Sequence, residues 1–332
     1  MNLLYIIAGE TGFKTNDEKI FRTFADVKKV NYMKRWDYFN PKIINQLIWS
    51  DIIIIWFASK HAIPVIIFNY FFKKPLYIIA GGWDVANVPE INYGAMRGGI
   101  RGIIGKWILS KATKVIAVSN SNRNEIISNT SLPSNKIELI YNSVSLPTIQ
   151  NSDKKNQVLT VGELNAETYL RKGIDHFIEV AKLLPNISFI HIGKWTNENG
   201  VRDVSFAKNI IENAPDNIEF LGFVPKKELE YYFSQSKVYL QLSRHEAFGV
   251  SVVEAMSYGC KPIVSSEFAL PEIVSEFGLI IENMDYDLIA NKIESLFMDK
   301  LLQSNHTNKV ESFLERYSFS QRESAFKSLL SY

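Results

Sequence analysis

The sequence predicts an α/β protein made of two doubly wound halves, each a parallel sheet covered by helices. Short apolar runs alternate with longer amphipathic stretches along the chain, the pattern of repeated strand–helix–strand units. The strand candidates are near-continuous Ile, Val and Leu, as strands covered on both faces require. A length of 332 residues also exceeds what one ordinary core organises.

In the first half the strand candidates are Leu3–Ala8, Ile52–Phe57, Leu76–Ala80, Val115–Ser119 and Ile137–Tyr141. The stretch "SVSLPTIQNSDKKNQ" at 143–157 is polar, holds a proline and has no apolar period, so a linker is expected over 146–156. The alternation then restarts, with strands at Val158–Val161, Ile187–Ile192, Ile218–Leu221, Val238–Leu242, Lys261–Ser265 and Leu279–Ile281. Helices are expected at 173–184, 202–213, 226–235, 249–258 and 286–300. The last stretch, "ESFLERYSFSQRESAFKSLLSY", has the spacing of one or two amphipathic helices. The division is therefore a first domain over 1–145, the linker, a second domain over 157–310, and a 311–332 segment packing back toward the first domain.

Composition narrows the function classes. An apolar fraction of 46% and a charged fraction of 22% are those of a soluble globular chain. Cys260 is the single cysteine, which excludes an intrachain disulfide and a cysteine metal cluster and fits a reducing compartment. Its apolar setting, "GCKPIV", reads as an inert core thiol. No run reaches the ~18 apolar residues of a membrane span. The opening "NLLYIIAGE" has no basic leader and reads as a buried strand, so a cytoplasmic location is expected. Residues 1–150 carry 18 Lys and Arg against 10 Asp and Glu, whereas the remainder carries 19 against 25. A basic first half and an acidic second half point to different partners, and nucleic acid is not among those expected.

The most informative stretch is "LQLSRHEAFGVSVVEAMSYGCKPIVSS" at 240–266. A strand ends near Leu242 and a helix begins near Phe248 and Gly249, with Gly259 placed to end it. The first amides of a helix have no internal partner and the macrodipole makes that end positive. The N–H groups of Phe248, Gly249 and Val250 can thus hold a diphosphate, and Gly249 admits it close to the backbone. Glu246 precedes the helix and Glu254 lies in its second turn, reaching back toward its start. A carboxylate beside a phosphate is costly unless it accepts hydrogen bonds. A nucleoside diphosphate sugar supplies hydroxyl donors on both sides of its diphosphate.

The segment "HEAFGVSVVEA" resembles the Glu, seven residues, Glu signature of glycosyltransferase family 4, within the GT-B superfamily. "IELIYNSV", "LTVGELNAETYLRKGIDHFIEVAKLLP", "FIHIGKW" and "IEFLGFVPKKELEYYFSQSKVYLQLS" extend the likeness over most of 137–282, while the first half resembles the family weakly. The resemblance implies two Rossmann-like domains facing across a cleft, and a retaining, metal-independent glycosyltransferase. It would move a sugar from a UDP- or GDP-sugar to a glycan or lipid-linked hydroxyl. It gives Glu246 to the donor sugar, Glu254 to the ribose, Lys172 to the phosphates, and Gly193, Phe223 and Val224 to the base side.

Departures from that pattern matter. Glu163 stands where the family commonly has arginine, and the loop from there to Lys172 looks long, so either Arg171 supplies the missing charge, with Arg244 a further helper, or the phosphate site is weaker. Asp285-Tyr286-Asp287 has metal-motif spacing, but it directly precedes an amphipathic helix and reads as a cap. Gly12, in "AGETG", lies in a glycine turn suited to close approach of sugar or phosphate. In "AGGWDVANVPE", Gly81 and Gly82 permit a turn that aims Asp84 at the reacting sugar, in place of the family's histidine. His61 reads as structural. "MRGGIRGIIGKWILSK" at 96–111 interleaves bases with Ile and Trp, a composition suited to peripheral contact with an anionic membrane. Two alternatives stay open: a nucleotide-sugar-binding subunit without catalysis, and an epimerase or phosphorylase on the same fold.

Overall fold

The structure is a computed structural model that describes residues 1–33, 42–147, 154–197, 201, 204–298 and 307–331. The centre of the expected linker, 148–153, lies outside the described residues, as do 202–203 and 299–300 at the ends of two expected helices. The chain divides into two compact units, Met1–Val144 with Tyr317–Tyr332, and Ser145–Arg316.

The first unit runs β1 (Asn2–Ile7), α1 (Gly12–Phe21), β2 (Asp26–Asn31), α2 (Lys42–Trp49), β3 (Ile52–Trp56), α3 (Ala62–Phe72), β4 (Leu76–Ala80), α4 (Gly99–Lys111), β5 (Lys114–Ala117), α5 (Asn120–Thr130) and β6 (Ile137–Leu139). Its six strands are parallel, in the order β2-β1-β3-β4-β5-β6. Leu4, Ile6, Ile53, Ile55 and Ile78 face a core closed by Leu47 of α2, Val65 of α3, Ile108 of α4 and Ile126 of α5. β2 is a strand the apolar pattern does not announce. Its sequence is DVKKVN, with only Val27 fully buried, as an edge strand allows.

The second unit runs β7 (Lys155–Val161), α6 (Ala166–Arg171), α7 (Ile174–Leu183), β8 (Ser188–Ile192), α8 (Ser205–Glu212), β9 (Ile218–Gly222), α9 (Lys226–Gln235), β10 (Ser236–Gln241), α10 (Val250–Ser257), β11 (Lys261–Ser265), α11 (Leu270–Val274), β12 (Leu279–Ile281), α12 (Tyr286–Met298) and α13 (Thr307–Leu314). The chain then returns to the first unit as α14 (Phe319–Leu330), which packs on α1. There Arg322, 2% exposed, forms a two-pronged ion pair with Asp17 at 2.6 and 2.8 Å. Trp56 Nε1 donates to the same carboxylate at 2.9 Å.

The second sheet is ordered β12-β11-β10-β7-β8-β9 and is parallel throughout. Counted from β7 this is the dinucleotide-fold order 3-2-1-4-5-6. Successive crossovers leave β7 and β10 in opposite directions, so the carboxyl ends of these two strands border an open crevice where such sheets bind ligands.

Candidate active site

Two loops meet at that crevice. The first, after β7, looks like a long irregular connection in sequence but is the short helix α6. Asn165 accepts from the Thr168 amide at 2.9 Å, and Thr168 Oγ1 accepts from the Asn165 amide at 3.1 Å, a reciprocal cap. Glu163 accepts from Thr196 Oγ1 at 2.6 Å, so the residue at the family's arginine position is tied to the neighbouring loop.

Lys172 closes α6 and Gly173 follows at φ 67°. A Cβ at Gly173 would lie 2.0 Å from the Leu242 carbonyl oxygen, so this glycine lets the two loops touch. The Arg244 amide donates to the Arg171 carbonyl at 2.9 Å. The Arg244 guanidinium donates to Leu170 O and to both oxygens of Asp175, at 2.6–2.9 Å. Arg244 is therefore a clamp between the loops rather than a spare positive charge, which corrects its expected role as a helper.

Lys172 Nζ pairs with Glu246 Oε1, and the two side chains are only 18% and 10% exposed. Burial pushes the Lys172 ammonium down from its ordinary value while Glu246 pulls it up. Burial pushes Glu246 upward, but Lys172 and then Arg171 outweigh it and hold its carboxyl below the ordinary value. The two groups thus face each other, mostly buried, beside the carboxyl ends of β7 and β10.

A column of polar side chains behind this pair was not anticipated. Tyr239, Gln241 and Ser243 are 0–1% exposed at alternate positions along and just beyond β10. The Val161 amide donates to Tyr239 Oη at 3.2 Å, and Tyr239 Oη donates to Gln241 Oε1 at 2.9 Å. Gln241 Nε2 donates to Ser243 Oγ at 2.7 Å and to the Lys172 carbonyl at 3.1 Å. Ser243 Oγ in turn donates to Glu246 Oε1 at 3.4 Å. On their other face Leu240 and Leu242 enter the apolar core. Polar residues with period 2 in a central strand are the sequence signal for this column.

The helix after β10 begins at Val250, with Gly249 as its N-cap at φ 98°. A Cβ there would meet Leu270 Cδ2 at 3.2 Å, so the cap position has both a conformational and a steric reason to be glycine. Phe248 is 2% exposed, so its side chain is not available to a ligand. Glu254 sits half-buried in the second turn and makes no side-chain hydrogen bond among the described residues. Burial pushes its carboxyl up to about 7, with Glu230 adding and Lys226 opposing.

At the ends of β8 and β9, Gly193 is dictated by packing, since a Cβ would fall 1.7 Å from the Gly162 carbonyl oxygen. Phe223 is 68% exposed with Lys194 Nζ 5.2 Å from its ring centre, and Val224 beside it is buried. Among the described residues Trp195 Nε1 is buried without a hydrogen-bond partner near the same edge. Asp285 Oδ1 accepts from the Leu288 amide at 3.0 Å, the cap of α12. Burial pushes the Cys260 thiol up to about 11, as an unreactive core cysteine requires.

In the first unit, Gly12 opens α1 with open space at its Cα. Asp84 has a different task from the one expected. It is fully buried, and its carboxylate accepts from the amides of Ala58, Gly81 and Gly82 at 2.8–3.1 Å, bracketing the loops after β3 and β4. A side chain so enclosed cannot face a reacting sugar. His61 is buried as well, bonded to Trp56 O and Ser59 Oγ at 2.8 Å.

The second unit coincides with a family model described as "Glycosyl transferases group 1", which matches residues 146–312. An uncharacterized 41.2 kDa protein in the cps region of Klebsiella pneumoniae is 29% identical over 204 residues, 57% of this chain and 53% of that one. The alpha-galactosylglucosyldiacylglycerol synthase of Streptococcus pneumoniae is 32% identical over 122 residues, 36% of this chain and 32% of that one. The chain thus spans about half or less of the length of these curated relatives. Among solved structures, Anabaena Alr3699/HepE in complex with UDP-glucose superposes with a TM-score of 0.79 at 15% identity, over all of both chains. At that identity the likeness is one of fold, two Rossmann-like units of the GT-B type. With half of its length matched by the family model, the chain belongs to the glycosyl transferases group 1 family.

Proposed function

We propose that the chain is a nucleotide-sugar-dependent glycosyltransferase of family 4, retaining and independent of metal, acting on a lipid-linked or polysaccharide hydroxyl. The observation that carries the reading is the Lys172–Glu246 pair at the switch point of the second sheet, beside the Gly249-capped start of α10. A UDP- or GDP-sugar fits this chemistry. Its diphosphate meets Lys172 and the amides at 248–250, with Arg171 adding charge from the adjacent position. Glu246, released from Lys172 as the phosphate arrives, accepts from sugar hydroxyls. Glu254 accepts from the ribose pair, and the base lies against Gly193, Phe223 and Val224.

In the reaction the bond from the anomeric carbon to phosphate breaks as the acceptor oxygen bonds that carbon from the same face, and the acceptor proton passes to a phosphate oxygen. Lys172 and the helix start stabilise the charge on the departing diphosphate. Capping of α12 by Asp285 gives the metal-like motif a structural task, which supports charge neutralisation by Lys172 instead.

The test is a panel of UDP- and GDP-sugars incubated with the full chain in the presence of chelator, following nucleotide release. One donor should turn over, and Lys172→Ala should slow it ~10²-fold. A wild-type protein that neither binds nor turns over any donor refutes the reading. Tight binding without turnover, across acceptors, would favour a non-catalytic binding subunit. An anomeric proton coupling in the product that differs from the donor's would refute retention.

A further inference from the structure

We propose that the outward faces of α3 and α4 form a surface that lies on an anionic lipid bilayer. α3, AIPVIIFNYFF, contains no charged residue. Ala62, Val65 and Ile66 bury its inner face, yet Ile67, Tyr70 and Phe71 on the outside are 52%, 78% and 74% exposed. A helix covering a sheet in water ordinarily turns a polar face outward.

α4 packs beside α3. Its inner face is Gly102, Gly105, Ile108 and Leu109, and the glycines let it settle closely, since a Cβ at Gly105 would lie 3.0 Å from Met96 Cε. Its outer face carries Ile100, Ile103 and Trp107, 73%, 69% and 38% exposed, at the i, i+3, i+7 spacing of one stripe. Both helices cover the same face of the sheet, so their outer stripes adjoin. A continuous apolar patch of this kind marks an interaction surface.

Charge selects the partner. From residue 52 to 124 the sequence has nine Lys and Arg and two acids, and one of the acids is the enclosed Asp84. Arg101, Lys106 and Lys111 flank the α4 stripe and are exposed, as is Lys73 at the end of α3. A second copy would set this basic rim against itself, an arrangement like charges oppose. An anionic bilayer supplies apolar depth for Ile, Phe and Trp, and phosphate for the bases, whose stems lie along the apolar surface. No helix among the described residues is long and apolar enough to cross a membrane, so the contact is peripheral. The inference names a setting for a lipid-linked acceptor but does not rest on the transferase reading.

The experiment is sedimentation of the full chain with vesicles of phosphatidylcholine alone or mixed with phosphatidylglycerol, without any nucleotide sugar, so its failure is separate from failure of the donor reading. Binding should be at least ~10-fold stronger to the anionic vesicles and should fall with salt. Arg101→Glu with Lys106→Glu should weaken it about 30-fold or more, from roughly fivefold per surface charge. Tyr70→Ser with Phe71→Ser should weaken it ~10-fold, with thermal melting confirming that each variant is folded. Absence of vesicle binding, or equal binding by folded variants, overturns the proposal. So does a concentration-dependent dimer of the wild type that the same substitutions abolish.

Discussion

Breaking the Lys172–Glu246 pair should cost more when one partner is removed than when both are. Lys172→Met leaves Glu246, 10% exposed, without its nearest opposite charge. Removing one partner of a buried pair costs about 3–5 kcal/mol. For a unit the size of Ser145–Arg316 this lowers the melting temperature by on the order of 10 °C. Lys172→Met with Glu246→Gln should recover at least ~1.5 kcal/mol of the summed single losses, because neither charge is stranded. Direction with pH gives a second check. In the wild type Glu246 titrates below its ordinary value, so its contribution is present above the unfolded value and is lost as pH falls through the depressed one. In Lys172→Met the carboxyl titrates higher, held up by burial, and its contribution is instead lost as pH rises. Calorimetric unfolding of the full chain from about pH 3 to 8 measures both effects. Additive losses within ~0.5 kcal/mol, or parallel pH curves for wild type and Lys172→Met, would refute the idea that these charges depend on one another. The double variant should remain inactive even where it is stable, separating the chemical role from the structural one.

Burial holds the Glu254 carboxyl near 7, so nucleotide-sugar binding should weaken about tenfold from pH 8 to 6 as the carboxylate protonates, and calorimetric titration of Glu254→Gln should show a flat profile. Gly173→Ala should cost more than ~2 kcal/mol, from the left-handed backbone and the collision with Leu242 O, and a wild-type urea midpoint would contradict it. Gln241→Leu strips Tyr239, Ser243 and the Lys172 carbonyl of a shared partner and should cost about 2 kcal/mol. A restored midpoint and turnover in Gln241→Glu would show that the acceptor half of the amide suffices, contrary to the two donor bonds seen here.

The two-sheet architecture was legible because strands such as β3, buried on both faces, are apolar throughout, and runs such as Ile52–Phe57 leave no other reading. β2 was not, because an edge strand with Lys28 and Lys29 has no apolar signature. The helix start at Gly249 could be read from the sequence, since a glycine between a strand and an amphipathic run suits a cap with positive φ. Asp84 shows the limit. A turn rich in glycine tells that a side chain is held sharply, not whether it points out or in, and three amides drew this one inward. The capping box of α6 was visible in Asn165 and Thr168, three residues apart, and overrides the impression of a long loop. A segment as apolar as Ala62–Phe72 reads as core, and only coordinates reveal the three side chains turned to solvent.

Asp17 and Arg322 are 305 residues apart and meet in the dry interior of the first unit, so that unit is assembled from two stretches separated by the whole of the second unit. During synthesis α1 and its neighbours leave the ribosome long before the arginine that neutralises Asp17, while the intervening unit already holds every strand of its own sheet. The second unit can thus mature first, while the first stays incomplete until α14 is made. Trimming or bulky tagging near Arg322 should therefore harm the half that was translated first.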